Sequence, residues 1–127
     1  MAITPVKTLV KQAKSEIETL SVATAQAAIA NGTAMLVDIR DVRELDREGR
    51  IPGAYHAPRG MLEFWIDPES PYHKPALATD KKLVLFCASA WRSALSVKTL
   101  QDMGVENIAE LEGGFTNWRD CDGPIDT

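Results

Sequence analysis

Residues 83–103 read LVLFCASAWRSALSVKTLQDM. Leu83 to Phe86 form a short apolar run suited to a strand covered on both faces. From Ala94 onward, Ala94, Leu95, Val97, Leu100 and Met103 fall largely on one side, the spacing of an amphipathic helix, and Gly104 ends it. Between them lies CASAWRS, Cys87 to Ser93. The order is therefore buried strand, short loop, helix. A central parallel strand delivers its next residue to the carboxyl edge of the sheet, where open α/β folds place ligands. The helix that follows aims unpaired N–H groups and a partial positive charge at the same place. A cysteine held there is favoured as thiolate, its nucleophilic form.

Working outward, the same alternation continues in both directions. Toward the N-terminus, AMLVDI (Ala34 to Ile39) is a second apolar run fit for a central strand. Asp41 and Glu44 have capping-box spacing, so VRELDRE reads as a short helix closed by Gly49. Ser21 caps a helix over VATAQAAIA that stops at Asn31-Gly32. Ile17 to Leu20 reads as an edge strand. Thr4 and Pro5 read as cap and first residue of a helix whose inner face carries Val6, Leu9, Val10 and Ala13. Between the two central runs, Ile51-Pro52-Gly53-Ala54 is turn chemistry before a short strand, AYHA. MLEFWI reads as a short buried helix, and DPESPYHKPALATD as a surface excursion with one helical turn at Pro75 to Ala78. Toward the C-terminus, NIAEL reads as the last strand, Gly113-Gly114 as a break and FTNWRD as a closing helical turn. Helices alternating with short apolar strands predict an α/β fold: a five-stranded, mainly parallel sheet with helices on both faces.

The chain's 127 residues suit one domain able to bury a core without disulfides. A net charge of −4 argues against nucleic acid as a partner, because phosphate binding needs a basic surface. No apolar run approaches the ~20 residues that span a bilayer, so no membrane partner is expected. The first residues do not read as a secretory signal, and two cysteines make no disulfide framework. A reducing, cytoplasmic location is therefore expected. His56 and His73 are scattered and CxxC spacing is absent, so no metal site is expected.

The loop itself carries the chemistry. Its small residues let the backbone curl so that successive amides point inward as an anion-binding nest. Ser89 and Ser93 add hydroxyl donors, and Arg92 adds charge at the rim. A cation at a helix N-terminus conflicts with the dipole, which suggests that Arg92 meets an anion. A thiolate in such a cradle supports covalent catalysis in two half-reactions. A lone cysteine after a strand is more often a core residue, but the loop that follows Cys87 reverses those odds.

CASAWRS resembles the active-site loop of the rhodanese family of sulfurtransferases, written C-x-x-G-x-R-S. LVDIRDVREL (Leu36 to Leu45) resembles its L-[IV]-D-[VI]-R segment, GRIPGAYHAPRG (Gly49 to Gly60) its G-H-I-P-G-A segment, and LEGGFTNW (Leu111 to Trp118) its closing L-x-G-G-[FY]-x-x-W segment. Four ordered matches are specific where one would not be.

The resemblance implies a single rhodanese domain over residues 21–121, with residues 1–20 packed on it as a helix and edge segment and 122–127 as a tail. It implies that Cys87 takes a sulfane sulfur from a small anionic donor such as thiosulfate and carries it as a persulfide. The acceptor would be cyanide in an assay and a thiol or protein in the cell. Ala88, Ser89, Ala90, Trp91, Arg92 and Ser93 would bind the persulfide, and Asp38 and Arg40 would brace the loop. No metal or organic cofactor is implied. The related dual-specificity phosphatases place arginine six residues after cysteine; here Arg92 follows Cys87 by five, a tighter ring suited to one sulfur atom. Two rivals remain: a non-catalytic sulfur-carrier or protein-binding module, and a small phosphatase or arsenate reductase.

The chain departs from the family pattern at Ala90, where glycine is common, and at Arg50, where histidine is common. A positive φ at Ala90 would strain the loop by about 1 kcal/mol. Trp91 is large for a loop tip and would wall the pocket or mark a docking surface. Phe64, Trp65, Phe115 and Trp118 are expected in the core. Arg59 is expected in solvent and Cys121 as an incidental thiol. No histidine is assigned as a base for Cys87.

Overall fold

The computed structural model describes residues 2–127. Its centre is a five-stranded sheet of β1 (Thr19–Leu20), β2 (Ala34–Asp38), β3 (Tyr55–His56), β4 (Lys82–Phe86) and β5 (Ile108–Leu111), in the spatial order β1-β5-β4-β2-β3. Every neighbouring pair is parallel. The apolar run that opened the reading is thus the central strand. Six α-helices connect and cover the strands: α1 (Val6–Glu16), α2 (Val22–Ala30), α3 (Val42–Glu48), α4 (Leu62–Ile66), α5 (Arg92–Asp102) and α6 (Gly114–Asp120). Single 3₁₀ turns occupy Arg59–Met61 and Pro75–Leu77.

Alternation along β4 builds two cores. Leu83, Leu85 and Cys87 face one side with Val37, Ile39, Val97 and Leu100. Val84 and Phe86 face the other, with Val22 and Ala25 of α2 and Phe115 and Trp118 of α6. α1 packs outside α5 through Val10, Ala13 and Ala94. The capping box of α3 forms as its spacing requires, with Asp41 and Glu44 exchanging bonds. The C-terminal segment folds back: Arg50 and Asp126 exchange two backbone hydrogen bonds of 2.8 Å, and the Trp118 indole N–H donates to the Pro124 carbonyl at 2.9 Å.

Several local expectations need correcting. Pro5 occupies the N-cap of α1 itself, with no side-chain cap from Thr4, so the helix starts one residue later than expected. Val6 and Leu9 are exposed because α1 packs mainly on α5 and buries the narrower stripe of Val10 and Ala13. Met103 is exposed because α5 ends at Asp102, just before the turn at Gly104. Phe64 is exposed too: α4 has little more than one turn and buries only Leu62 fully, so Phe64 meets Tyr72 edge-on at 6.4 Å near the surface instead of joining the core.

The sheet and α6 together fix where the Cys87 loop leaves. The Cys87 carbonyl accepts from Phe115 N–H at 2.8 Å and the Ala88 carbonyl from Thr116 N–H at 3.1 Å. These donors are otherwise-free amides of a helix N-terminus. The contact is possible only because Gly114 has no side chain: its φ is +64°, and a Cβ there would lie 2.5 Å from the Cys87 oxygen. Gly114→Ala is therefore expected to lower stability by about 2–3 kcal/mol in urea unfolding. Gly32→Ala, at φ +76° with nothing within 4 Å, should lose about 1 kcal/mol, the backbone strain alone.

Candidate active site

Loop residues Cys87 to Trp91 leave β4 at the carboxyl edge and enter α5 at Arg92. Cys87 is only 1% exposed. The sequence suggested a thiol delivered to an open edge; the structure holds it within the loop instead, because Cys87 continues the inward-facing row of Leu83 and Leu85. Ser89 and Trp91 are the exposed loop residues, Trp91 at 46%, while Ala90 is buried. Among the described residues, no carbonyl or side-chain oxygen accepts from the N–H groups of Ala88 to Ala94; the first backbone bond of the helix is Leu95 N–H to Trp91 at 3.4 Å. Seven successive donors that follow Cys87 are thus left for a ligand or solvent.

Ala90 adopts φ +67°. The left-handed conformation is what lets so short a loop reverse, and alanine pays for it with a strained Cβ. Trp91 has helical dihedrals and offers no side-chain cap.

The first two residues of α5 are each gripped by a carboxylate. The Arg92 guanidinium donates to both oxygens of Glu44 on α3, at 2.7 and 3.0 Å. The anion that Arg92 meets is therefore part of the chain. This pair holds the Glu44 carboxyl below its ordinary range, chiefly through the Arg92 hydrogen bond, against burial and with help from Asp41 N–H. Arg92 is pushed up in turn, first by Glu44 and more weakly by the nearby Cys87 sulfur. Ser93 is fully buried, and its hydroxyl donates to Glu110 Oε1 on β5 at 2.8 Å. The Cys87 Sγ lies 3.7 Å from Ser93 Oγ, placed to donate to it.

Asp38 and Arg40 do not touch the loop directly. Asp38 is not a helix cap; Asp41 caps α3. Arg40 Nε and Nη2 engage the Asp38 carboxylate at 2.7–3.2 Å, and Nη2 also donates to the Gly49 carbonyl at 3.0 Å. The pair is buried, 2% and 1% exposed. The guanidinium lies over the Phe115 ring at 4.1 Å, and Phe115 is the residue whose N–H holds the Cys87 carbonyl. Bracing by Arg40 can run through that ring and through Phe86, just before Cys87, whose ring lies 5.8 Å from the guanidinium. His56 Nε2 lies 2.7 Å from the Arg40 carbonyl. Arg59 pairs with Glu63 at 2.7 Å near the surface, and Cys121 is exposed beside Asn117. Among the described residues, no group of three or more His, Cys, Asp or Glu side chains is placed to hold a metal ion.

Residues 21–121, the whole region from the cap of α2 to the end of α6, match the family model of the rhodanese-like domain. The chain belongs to the rhodanese-like family. Thiosulfate sulfurtransferase GlpE of Glaesserella parasuis is 29% identical over 86% of this chain and 95% of its own length. A polysulfide-sulfur transferase homodimer from Wolinella succinogenes is 33% identical, with a TM-score of 0.70 over 94% of this chain and 85% of that one. A protein of unknown function from Rhodopseudomonas palustris, described as a possible tyrosine phosphatase, is 51% identical, with a TM-score of 0.93 over 99% of this chain and 97% of that one. The chain spans only 54–60% of the length of two uncharacterised bacterial relatives at 33% identity.

In this rhodanese-like domain the sequence reading missed Glu110 and saw Glu44 only as a capping residue. A signal for Glu110 was present: a carboxylate between Ala109 and Leu111 in a strand covered on both faces has to find donors.

Two outcomes test this geometry. Ala90→Gly should raise the unfolding free energy by about 0.5–1 kcal/mol, the relief of strain partly offset by a freer unfolded chain. Because the folded Glu44 carboxyl titrates below its unfolded value, the Arg92 pair adds stability above the ordinary glutamate range, about pH 4.3, and loses it as pH falls through the folded value. Urea unfolding from pH 6 to 3 should be less steep with pH in Glu44→Gln than in the parent.

Proposed function

We propose that the domain is a sulfurtransferase in which Cys87 accepts a sulfane sulfur from thiosulfate or a related anionic donor and passes it, as a persulfide, to a thiol. The observation that supports this most directly is the run of unpaired amides from Ala88 to Ala94 immediately after Cys87. Donors of this kind stabilise negative charge on a persulfide's outer sulfur, at the position where charge develops. In the first half-reaction Sγ attacks the outer sulfur of thiosulfate and sulfite leaves. In the second, the acceptor's sulfur attacks the persulfide and Cys87 is restored. The relatives named as sulfurtransferases favour the same reading. A buried sulfur also favours transfer of a single atom from a small donor over reaction with a bulky one.

A phosphatase reading has one point in its favour, the description of the Rhodopseudomonas palustris protein. Against it, both oxygens of Glu44 already occupy the Arg92 guanidinium, which a phosphate would need as its clamp.

Incubation with thiosulfate followed by mass spectrometry, in a Cys121→Ser background, should show a gain of one sulfur atom mapped to Cys87. Cys87→Ser should abolish both this gain and sulfite release. Turnover of an aryl phosphate with no sulfur gained from thiosulfate would replace the assignment with the phosphatase reading.

A further inference from the structure

We infer that Glu110 is the proton store of the Cys87 reaction, reached through the Ser93 hydroxyl and held in place by Lys14 and Thr19; this rests on the sulfurtransferase reading above. Cys87 is 1% exposed, and among the described residues no histidine is hydrogen-bonded to its sulfur. What the sulfur does meet is Ser93 Oγ, at 3.7 Å, and Ser93 Oγ in turn donates to Glu110 Oε1 at 2.8 Å. In the resting arrangement the hydrogen bonds point from sulfur to carboxylate: S–H to hydroxyl oxygen, hydroxyl proton to Glu110. Glu110 is itself fully buried, and its other oxygen accepts from Lys14 Nζ at 2.9 Å and Thr19 Oγ1 at 3.0 Å. A buried carboxylate is costly unless it is paired and hydrogen-bonded. Here its donors come from three elements, α1, β1 and α5. Lys14 and Thr19 lie outside the residues 21–121 matched by the family model. The N-terminal helix thus supplies part of this network.

The step balances. Sγ attacks the outer sulfur of thiosulfate; the new S–S bond forms, the old one breaks, and its electron pair leaves on sulfite. The thiol proton passes to Ser93 Oγ while the Ser93 proton passes to Glu110 Oε1. The hydroxyl is regenerated, now donating toward sulfur and accepting from the Glu110 acid. When an acceptor thiolate takes the outer sulfur, the Cys87–sulfur bond breaks with its electron pair left on Sγ, and the proton returns along the same path. Glu110 ends as it began. The charged groups facing this path are Arg92, beside the sulfur and paired with Glu44 of α3, and Lys14 from α1. Glu110 touches no substrate and acts as a positioning residue through Ser93.

The test is the proton yield of persulfide formation. Thiosulfate is mixed with the full chain in weak buffer containing an indicator dye, with persulfide counted by mass spectrometry. Glu110→Gln and Ser93→Ala should each release about one more proton per persulfide than the parent, since the store or its link is gone. Their kcat for sulfite release near pH 6.5 should fall about 100-fold with KM for thiosulfate unchanged, and the deficit should shrink as pH rises and solvent takes the proton. Ser93→Ala keeps the Lys14 and Thr19 bonds to Glu110, so it covers the case in which Glu110→Gln misfolds. Equal proton yields and parallel pH profiles in parent and variants overturn the inference alone. Absence of persulfide in the parent overturns the sulfurtransferase reading, and this inference with it.

Discussion

The geometry of the site depends on one close approach of backbone to backbone. The N-terminus of α6 lies against the first two carbonyls of the Cys87 loop, and nothing larger than glycine fits at position 114. This contact turns the loop carbonyls toward α6. A peptide carbonyl and the following N–H point in opposite senses, so fixing the Cys87 and Ala88 carbonyls also constrains the amides that follow them. The amides of Ala88 and Ser89 are therefore constrained by a contact made on the other side of the chain. Arg40, stacked over Phe115, packs against the residue that makes the contact.

A loop with a left-handed alanine needs holding from its far end as well. That end is the first turn of α5, where two neighbouring side chains run to carboxylates on opposite elements, Arg92 to Glu44 on α3 and Ser93 to Glu110 on β5. The two ties differ in character. The Arg92 pair is half-exposed, with Arg92 42% and Glu44 18% accessible; screening limits what such a pair adds to stability. It neutralises a cation that the helix dipole disfavours. The Glu110 tie is wholly buried, and its geometry is fixed by every donor it has. Two ties and the α6 contact over-determine the loop, which is the condition under which a strained residue such as Ala90 persists.

The fold was legible because its strands are short apolar runs and its helices carry their own punctuation. Asp41 with Glu44, Asn31-Gly32 and Gly104 each act within a few residues, so local sequence suffices to place them. The parallel sheet followed from the alternation of strands and helices, and LVLF sits at the centre because it is apolar on both faces; the order of the other strands came only with the structure. Misplaced residues were those whose burial depends on what a neighbouring element happens to cover. Phe64 and Met103 are apolar, but α4 is too short and α5 ends too early to turn them inward. The site was legible as a loop and illegible as a network. Cys87 to Ser93 are consecutive, whereas Glu44 is 48 residues from Arg92 and Glu110 is 96 from Lys14. No spacing rule joins partners that only the topology brings together.

Glu110 shows how such partners can still be sought. A parallel strand covered on both faces has no solvent side, so a charged residue in it must be paired, and its partners must come from the elements that flank the strand. β5 lies between β1 and β4, beneath α5 and α1. Lys14, Thr19 and Ser93, one from each of three flanking elements, account for all three bonds observed. Once Ser93 is committed to Glu110, its oxygen is left facing the neighbouring sulfur as an acceptor. The carboxylate that orients a hydroxyl beside Cys87 is thus held in part by a lysine in the first helix. That is a physical reason for the α1 segment to be packed where it is.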